Sequence, residues 1–170
     1  MVFGTYGDRI IFWDALSSAF SVYDCVMGSV IVLCEADFKT VENISSSTIL
    51  NNNLFFVEGY QSGTLKVIEG IDSENTRGFE SVEGVLSNIV SIASTDDYIV
   101  CAVKERPING QSQISFYYLY PDGRFTHIIT WDEASFWSLS SFRMAVADGH
   151  IAACITTQEG VFTYKLKDPL

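Results

Sequence analysis

The residue types that carry enzyme chemistry are few in this chain of 170 residues, and they stand far apart. The two histidines, His127 and His150, belong to no local signature of a catalytic triad or a Cys-His pair. The glycines match no phosphate-binding pattern, and Asp96-Asp97 is typical of a turn rather than of a metal site. The sequence therefore predicts no catalytic residue, no metal site and no cofactor.

The four cysteines show no CxxC spacing and lie mostly inside apolar, strand-like runs; they are Cys25, Cys34, Cys101 and Cys154. This pattern predicts buried free thiols in a reducing compartment. The first five residues have neither a basic segment nor a long apolar one, so no secretory signal is expected. We therefore expect an intracellular protein, cytoplasmic or nuclear.

Composition excludes several classes of partner. The formal net charge is −11, and the ten Lys and Arg residues are scattered, so no basic face is expected for direct contact with nucleic acid. Hydrophobic residues make up 48% of the chain, but the longest apolar runs, such as 30–34, are far shorter than the ~18 residues of a membrane-spanning helix. We expect no membrane segment and a protein with a real apolar core.

One aromatic group is a candidate recognition patch. Trp131, Phe136 and Trp137 flank an acidic stretch that contains Asp132 and Glu133. Exposed aromatic side chains beside charged ones are typical of protein-binding hot spots. We predict Trp131, Asp132, Phe136 and Trp137 as partner-binding residues, with packing in the core as the alternative for the rings.

The elements that would position this patch are almost all β-strands. Short β-branched and aromatic runs are bounded by Gly, Asp, Asn and Ser throughout, and the best helix candidate, 132–139, is one or two turns. Similar strands recur along the chain: aligning Ile10, Leu65, Ile114 and Phe162 gives spacings of 55, 49 and 48 residues. Each copy is preceded by another strand, and further strands lie before and after most of the pairs.

A four-stranded antiparallel unit repeated every ~50 residues is typical of a β-propeller blade. We therefore predict an all-β, propeller-like fold over residues 1–170, a single domain or part of one, with approximate blades at 1–24, 47–84, 87–132 and 140–166. The chain is expected to begin at the second strand of a blade and end at the third strand of another. The ring would then be part of a larger propeller, close by pairing its first and last strands, or be completed by a partner chain.

The segment from Gly4 to Asp14 resembles the central hairpin of a WD-repeat blade, in which a strand turns through a Gly/Asp pair into a strand that ends in Trp-Asp. The resemblance implies a WD-type propeller with Trp13-Asp14 at the end of a third strand. The segment from Phe142 to Ala153 resembles, more faintly, the repeat of the chromosome-condensation-regulator propellers. A plain β-sandwich is a third possibility, which the ~50-residue period disfavours.

Two functions follow as hypotheses. The first is a non-enzymatic scaffold for protein–protein interaction, or a subunit of a larger assembly, because repeat strands occur without a catalytic constellation. The second is a glycan-binding, small-ligand or hydrolytic protein on the same frame, since the central channel of a propeller can gather acids from different blades. Fold alone does not decide between them.

Overall fold

The computed structural model describes residues 1–59, 63–71, 77–81, 87–105, 113–120, 124–131, 141–147, 150–157 and 160–166. The described residues form four antiparallel sheets, each built from strands that are consecutive in the chain. The predicted all-β, propeller-like class is therefore confirmed. None of the helical segments among these residues has the length and apolar character to cross a bilayer.

Sheet 1 contains β1 (Val2–Tyr6), β2 (Arg9–Asp14), β3 (Ala19–Asp24) and β4 (Ser29–Glu35), and a short helix α1 (Phe38–Glu42) follows it. Sheet 2 contains β5 (Ile44–Leu50), β6 (Asn53–Glu58), β7 (Thr64–Glu69) and β8 (Arg77–Ser81). Sheet 3 contains β9 (Ile89–Ser94), β10 (Ile99–Glu105), β11 (Gln113–Leu119) and β12 (Phe125–Trp131). Sheet 4 contains β13 (Ser141–Ala147), β14 (His150–Thr157) and β15 (Gly160–Leu166).

The turn between β5 and β6 shows why these hairpins form where they do. Asn51 and Asn52 have φ values of 49° and 64°, the left-handed backbone that a two-residue hairpin turn of the favoured type requires at both central positions. Asparagine tolerates this conformation better than most residues. The predicted turn is confirmed, and it sets the register in which Leu50 faces Asn53.

The first strands of the four sheets lie side by side: β1 beside β5, β5 beside β9, and β9 beside β13. Among the described residues no comparable contact joins β13 back to β1. Hydroxyl groups connect the row, since Ser47 Oγ donates to the carbonyl of Phe3 at 3.2 Å and Ser46 Oγ donates to that of Ile92 at 3.3 Å. These strands therefore form the inner edge of a radial stack.

Sheets 2, 3 and 4 each bury a leading face against the preceding sheet, and sheets 1, 2 and 3 each bury a trailing face against the next. Because side chains alternate along a strand, the central strands supply both faces. Sheets 1 and 2 share one core, sheets 2 and 3 a second, and sheets 3 and 4 a third. In the first core, Phe20 on the trailing face of sheet 1 stacks on Phe56 on the leading face of sheet 2, with ring centroids 5.7 Å apart. Central-strand residues of the leading faces are Leu54 and Phe56 in sheet 2, Ile99 and Cys101 in sheet 3, and Ile151 and Ala153 in sheet 4.

The predicted phase of the first repeat is wrong. The chain begins at the inner strand of sheet 1, because β1 lies beside β5, and the unpredicted strand β4 completes the sheet to Glu35, beyond the predicted limit of 24. The second strands begin at Arg9, Asn53, Ile99 and His150, so the repeats are 44, 46 and 51 residues apart. Aligning Ile10 with Leu65 therefore matched a second strand with a third one. Trp13-Asp14 ends β2, and the segment from Gly4 to Asp14 is the first hairpin of its sheet rather than the central one.

Candidate functional site

Trp131 is the one member of the predicted aromatic patch that the structure describes. It is the last residue of β12, it is half-buried, and its ring packs edge-to-face on Phe116 with centroids 5.1 Å apart. The ring thereby adds to the core between sheets 3 and 4. Asp132, Phe136 and Trp137 lie outside the described residues, as does the helix candidate 132–139, so partner binding at this patch stays a prediction.

A polar cluster that sequence reasoning missed crosses the outer strands of sheet 3. The Glu105 carboxylate accepts hydrogen bonds from Ser115 Oγ at 2.9 Å and from the Tyr117 hydroxyl at 2.7 Å. Ser115 Oγ lies 2.8 Å from Thr130 Oγ1, which lies 2.8 Å from Nε2 of His127. The five residues sit on one face because their strands pair in register, and only correct pairing of β10, β11 and β12 would have revealed them.

The geometry of this cluster supports structure rather than nucleophilic chemistry. Ser115 is fully buried, and its hydroxyl faces a carboxylate and a threonine instead of the imidazole of His127. A serine nucleophile needs a base within hydrogen-bond reach and access to a substrate. The pKa of Tyr117 is raised, first by burial and then by its hydrogen bond to Glu105, so the phenol stays a proton donor that fixes the carboxylate.

The inner strands do not gather carboxylates. The described first strands are rich in Ser and Thr, and none of the residues in β1, β5, β9 and β13 is Asp or Glu. Their hydroxyls bond neighbouring strands, as when Thr48 Oγ1 donates to Ser94 Oγ at 2.8 Å. These strands therefore do not form the cluster of acidic residues in a central channel that the hydrolytic hypothesis requires.

The thiols and possible metal ligands are likewise dispersed. All four cysteines are free, and the predicted burial holds for Cys101, where burial raises the thiol pKa to about 12. It is wrong for Cys25, which lies exposed in the turn after β3 because the strand ends at Asp24. Within the described ranges, no three His, Cys, Asp or Glu side chains stand close enough together to hold a metal ion.

The leading face of sheet 1 is an exposed apolar surface that the strand pattern explains. Val2, Tyr23, Val30 and Val32 are 67%, 38%, 56% and 55% exposed, and Tyr23 pairs directly with Val30 across β3 and β4. Half-buried Ile10 and Phe12 lie on the same face. This face corresponds to those that sheets 2, 3 and 4 bury against the sheet before them, but here no sheet of the described chain covers it.

The turns at one end of sheet 1 extend this exposed surface. Val26 and Met27 are 74% and 77% exposed and line an open cleft of about 350 Å³ with the β1–β2 turn. Asp24 shapes the cleft: its carboxylate accepts the backbone N–H of Met27 at 2.9 Å and contacts Arg9 Nε at 3.3 Å. These interactions, the backbone hydrogen bond first, lower the pKa of Asp24. The cleft is lined by apolar and charged residues alike, and its one cation, Arg9, is paired with Asp24.

Comparisons with known proteins concern the fold alone. No family model matches the sequence, and no curated protein does. The apo structure of the isopeptidase AtxE2 is similar to 88% of this chain over 23% of its own length, with a TM-score of 0.47 and 12% identity. The β-propeller domain of the Trilobed protease from Pyrococcus furiosus, described as having an open velcro topology, is similar to 94% of this chain over 64% of its own length, with a TM-score of 0.48 and 14% identity.

The chain thus spans about a quarter of the first of these proteins and less than two thirds of the second. Identities this low carry no information about substrates or partners. The propeller-like architecture follows from this chain's own strand order, from the row of inner strands and from the three stacked cores.

Proposed function

We propose that this chain is a non-enzymatic interaction scaffold or a subunit of a larger assembly, and that it binds protein through the leading face of sheet 1. One observation carries the proposal: Tyr23, Val30 and Val32 form a contiguous exposed apolar surface on a face that no described sheet covers. Contiguous apolar patches of this kind mark interaction sites on soluble proteins. The burial of Ser115 and the lack of acids on the inner strands give the hydrolytic alternative no support among the described residues.

Several expectations from the sequence stay predictions. They are membership of the WD-repeat family, an intracellular location, the absence of direct nucleic-acid contact, and partner binding through Trp131, Asp132, Phe136 and Trp137. The structural position of Trp13-Asp14, at the end of a second strand, does not support the first of these.

The proposal is tested by quantitative affinity purification with the double variant Val30→Asp, Val32→Asp. Two carboxylates on this face would have to be desolvated against an apolar partner surface, which is costly unless they are paired. We expect recovery of a stoichiometric protein partner to fall at least tenfold. Leu16→Asp is the matched control, because Leu16 is 98% exposed in the β2–β3 turn and the change also places an acid on sheet 1.

Equal recovery of the partner by the unmodified chain, the double variant and Leu16→Asp would refute the role of this face. Turnover of a peptide or glycan substrate by the purified chain would refute the non-enzymatic function itself. Far-UV circular dichroism of each variant shows that lost binding does not reflect unfolding.

A further inference from the structure

The two ends of the stack present unlike faces. Sheet 1 exposes its leading face, defined above, and sheet 4 exposes its trailing face. Exposed residues on that trailing face are Arg143, Ala145, Ala152, Val161, Thr163 and Lys165. They share one face because Arg143 pairs with Cys154 and Thr163, while Ala145 pairs with Ala152 and Lys165. The leading face of sheet 4, with Phe142, Ile151 and Ala153, is buried against sheet 3.

All three interfaces inside the chain stack a trailing face on a leading face. The same rule, continued, would place the trailing face of sheet 4 on the leading face of a sheet 1. The chain's own sheet 1 is not in that position among the described residues, because no strand of sheet 4 packs beside a strand of sheet 1 in the way that β9 packs beside β13. A second copy of the chain presents the required face.

Some side chains of the two faces are complementary in size. The trailing face of sheet 4 exposes the small side chains of Ala145, Ala152 and Thr163 beside longer ones, whereas the leading face of sheet 1 projects Tyr23 and the exposed valines. Large side chains pack best opposite small ones, because both surfaces can then fill the space between two sheets without voids.

Charge favours the same pairing. The described strands of sheet 4 contain Arg143 and Lys165 and no acidic residue, although the chain as a whole carries −11. The strands of sheet 1, counted in the same way, contain three acids and one arginine, and two of the acids, Asp14 and Glu35, lie on its leading face because both pair with Ala19. Opposite charges on two surfaces steer their encounter and disfavour pairing of like faces.

We propose that two copies of this chain associate head to tail, the trailing face of sheet 4 in each covering the leading face of sheet 1 in the other, to form one ring of eight sheets. The proposal rests on the proposed function, because it names the protein that occupies the exposed face. A two-fold axis through the ring relates the two identical contacts, so the assembly closes and exposes neither face.

The test is a mixing experiment read by light scattering on the full chain. The unmodified chain should give 37.8 kDa, twice the 18.9 kDa of one copy. Val30→Asp, Val32→Asp alters only the leading face, and Ala152→Glu alters only the trailing face. Each variant alone loses both contacts of the ring and should give the mass of one copy.

An equimolar mixture of the two variants should return to the mass of two copies, because one contact of the mixed pair joins two unmodified faces. Tyr23→Glu with Thr163→Glu repeats the experiment on other residues of the same faces if a variant of the first pair fails to fold. Leu16→Asp serves as the control and should keep the mass of the unmodified chain.

Three results would overturn the proposal: an unmodified chain at the mass of one copy up to high micromolar concentration, a mass above that of two copies, or an Ala152→Glu variant that stays dimeric. The last would mean that two leading faces pair with each other. If the ring fails while partner recovery still depends on Val30 and Val32, the proposed function stands with a different occupant. If neither measurement responds to these residues, both proposals fail.

Discussion

The stacking of Phe20 on Phe56 allows the sheet-on-sheet arrangement to be tested quantitatively. Both rings are fully buried, and they lie with centroids 5.7 Å apart and an interplanar angle of 27°. Replacing Phe56 with Ala removes the ring from the core between sheets 1 and 2 and leaves a cavity that rigid strands fill only in part. Core Phe→Ala substitutions cost about 3–5 kcal/mol in the free energy of unfolding.

A loss of this size is a large share of the ~5–15 kcal/mol that stabilises a typical domain. We expect the folding equilibrium constant of Phe56→Ala to fall about a thousandfold. The assay is urea unfolding followed by tryptophan fluorescence and by far-UV circular dichroism. Trp13 belongs to the same core and donates its indole N–H to the carbonyl of Ala36 at 3.0 Å, so its emission reports on this interface.

Leu16→Ala is the control for this experiment, because a side chain that is 98% exposed contributes little, and its effect should stay within about 0.5 kcal/mol. The double variant Phe20→Ala, Phe56→Ala should show a coupling energy of about 0.5–1.5 kcal/mol, the share that belongs to the ring pair itself. A loss below about 1 kcal/mol for Phe56→Ala, or additive effects of the two substitutions, would contradict the stacked interface.

Three further predictions test other parts of the structure. Gly63→Ala should lower the free energy of unfolding by about 1–3 kcal/mol, because a Cβ there would lie 2.6 Å from the backbone carbonyl oxygen of Ile89 at the start of sheet 3. The measurement is urea unfolding, and Thr64→Ala at the exposed neighbouring residue is the control. Equal effects of the two substitutions would contradict the close approach at Gly63. The Tyr117 pKa is raised above the unfolded value near 10, so its contribution to stability is present below pH ~10 and lost as the pH rises through the folded pKa. Unfolding at alkaline pH should therefore be less pH-dependent in Tyr117→Phe, and identical pH profiles would refute this. With a thiol-specific reagent at neutral pH, exposed Cys25 should react promptly. Cys101, whose pKa is raised to about 12 by burial, should react only after unfolding. Prompt labelling of Cys101 would show that the core around it is open.

The sequence by itself determined the class of fold. Alternating apolar and polar residues specify strands wherever one or both faces are buried, and turn residues such as Asn51 and Asn52 end them, so both signals are local. The recurrence of such strands at ~50 residues then predicts a stack, because one sheet of this kind cannot bury two apolar faces alone. The free state of the thiols also followed, since no pairing or ligand spacing exists among them.

Tertiary structure decided which strand of each unit is innermost. A strand's own residues do not say whether it lies at the inner or the outer edge of a sheet, because β1 and β4 are both short apolar strands with one pairing neighbour within their sheet. Only the contact of β1 with β5 assigns β1 to the inner row and moves Trp13-Asp14 to the end of a second strand. A repeat with weak residue identity allows a shift by one strand, and the sequence alignment of Ile10 with Leu65 made that shift.

The candidate surface likewise depends on long-range packing. Tyr23, Val30 and Val32 look like core residues in the sequence, since they stand in the apolar strands β3 and β4. They are exposed because no described sheet covers their face. Burial is a property of what lies opposite a face, and strand periodicity records only that the face is apolar.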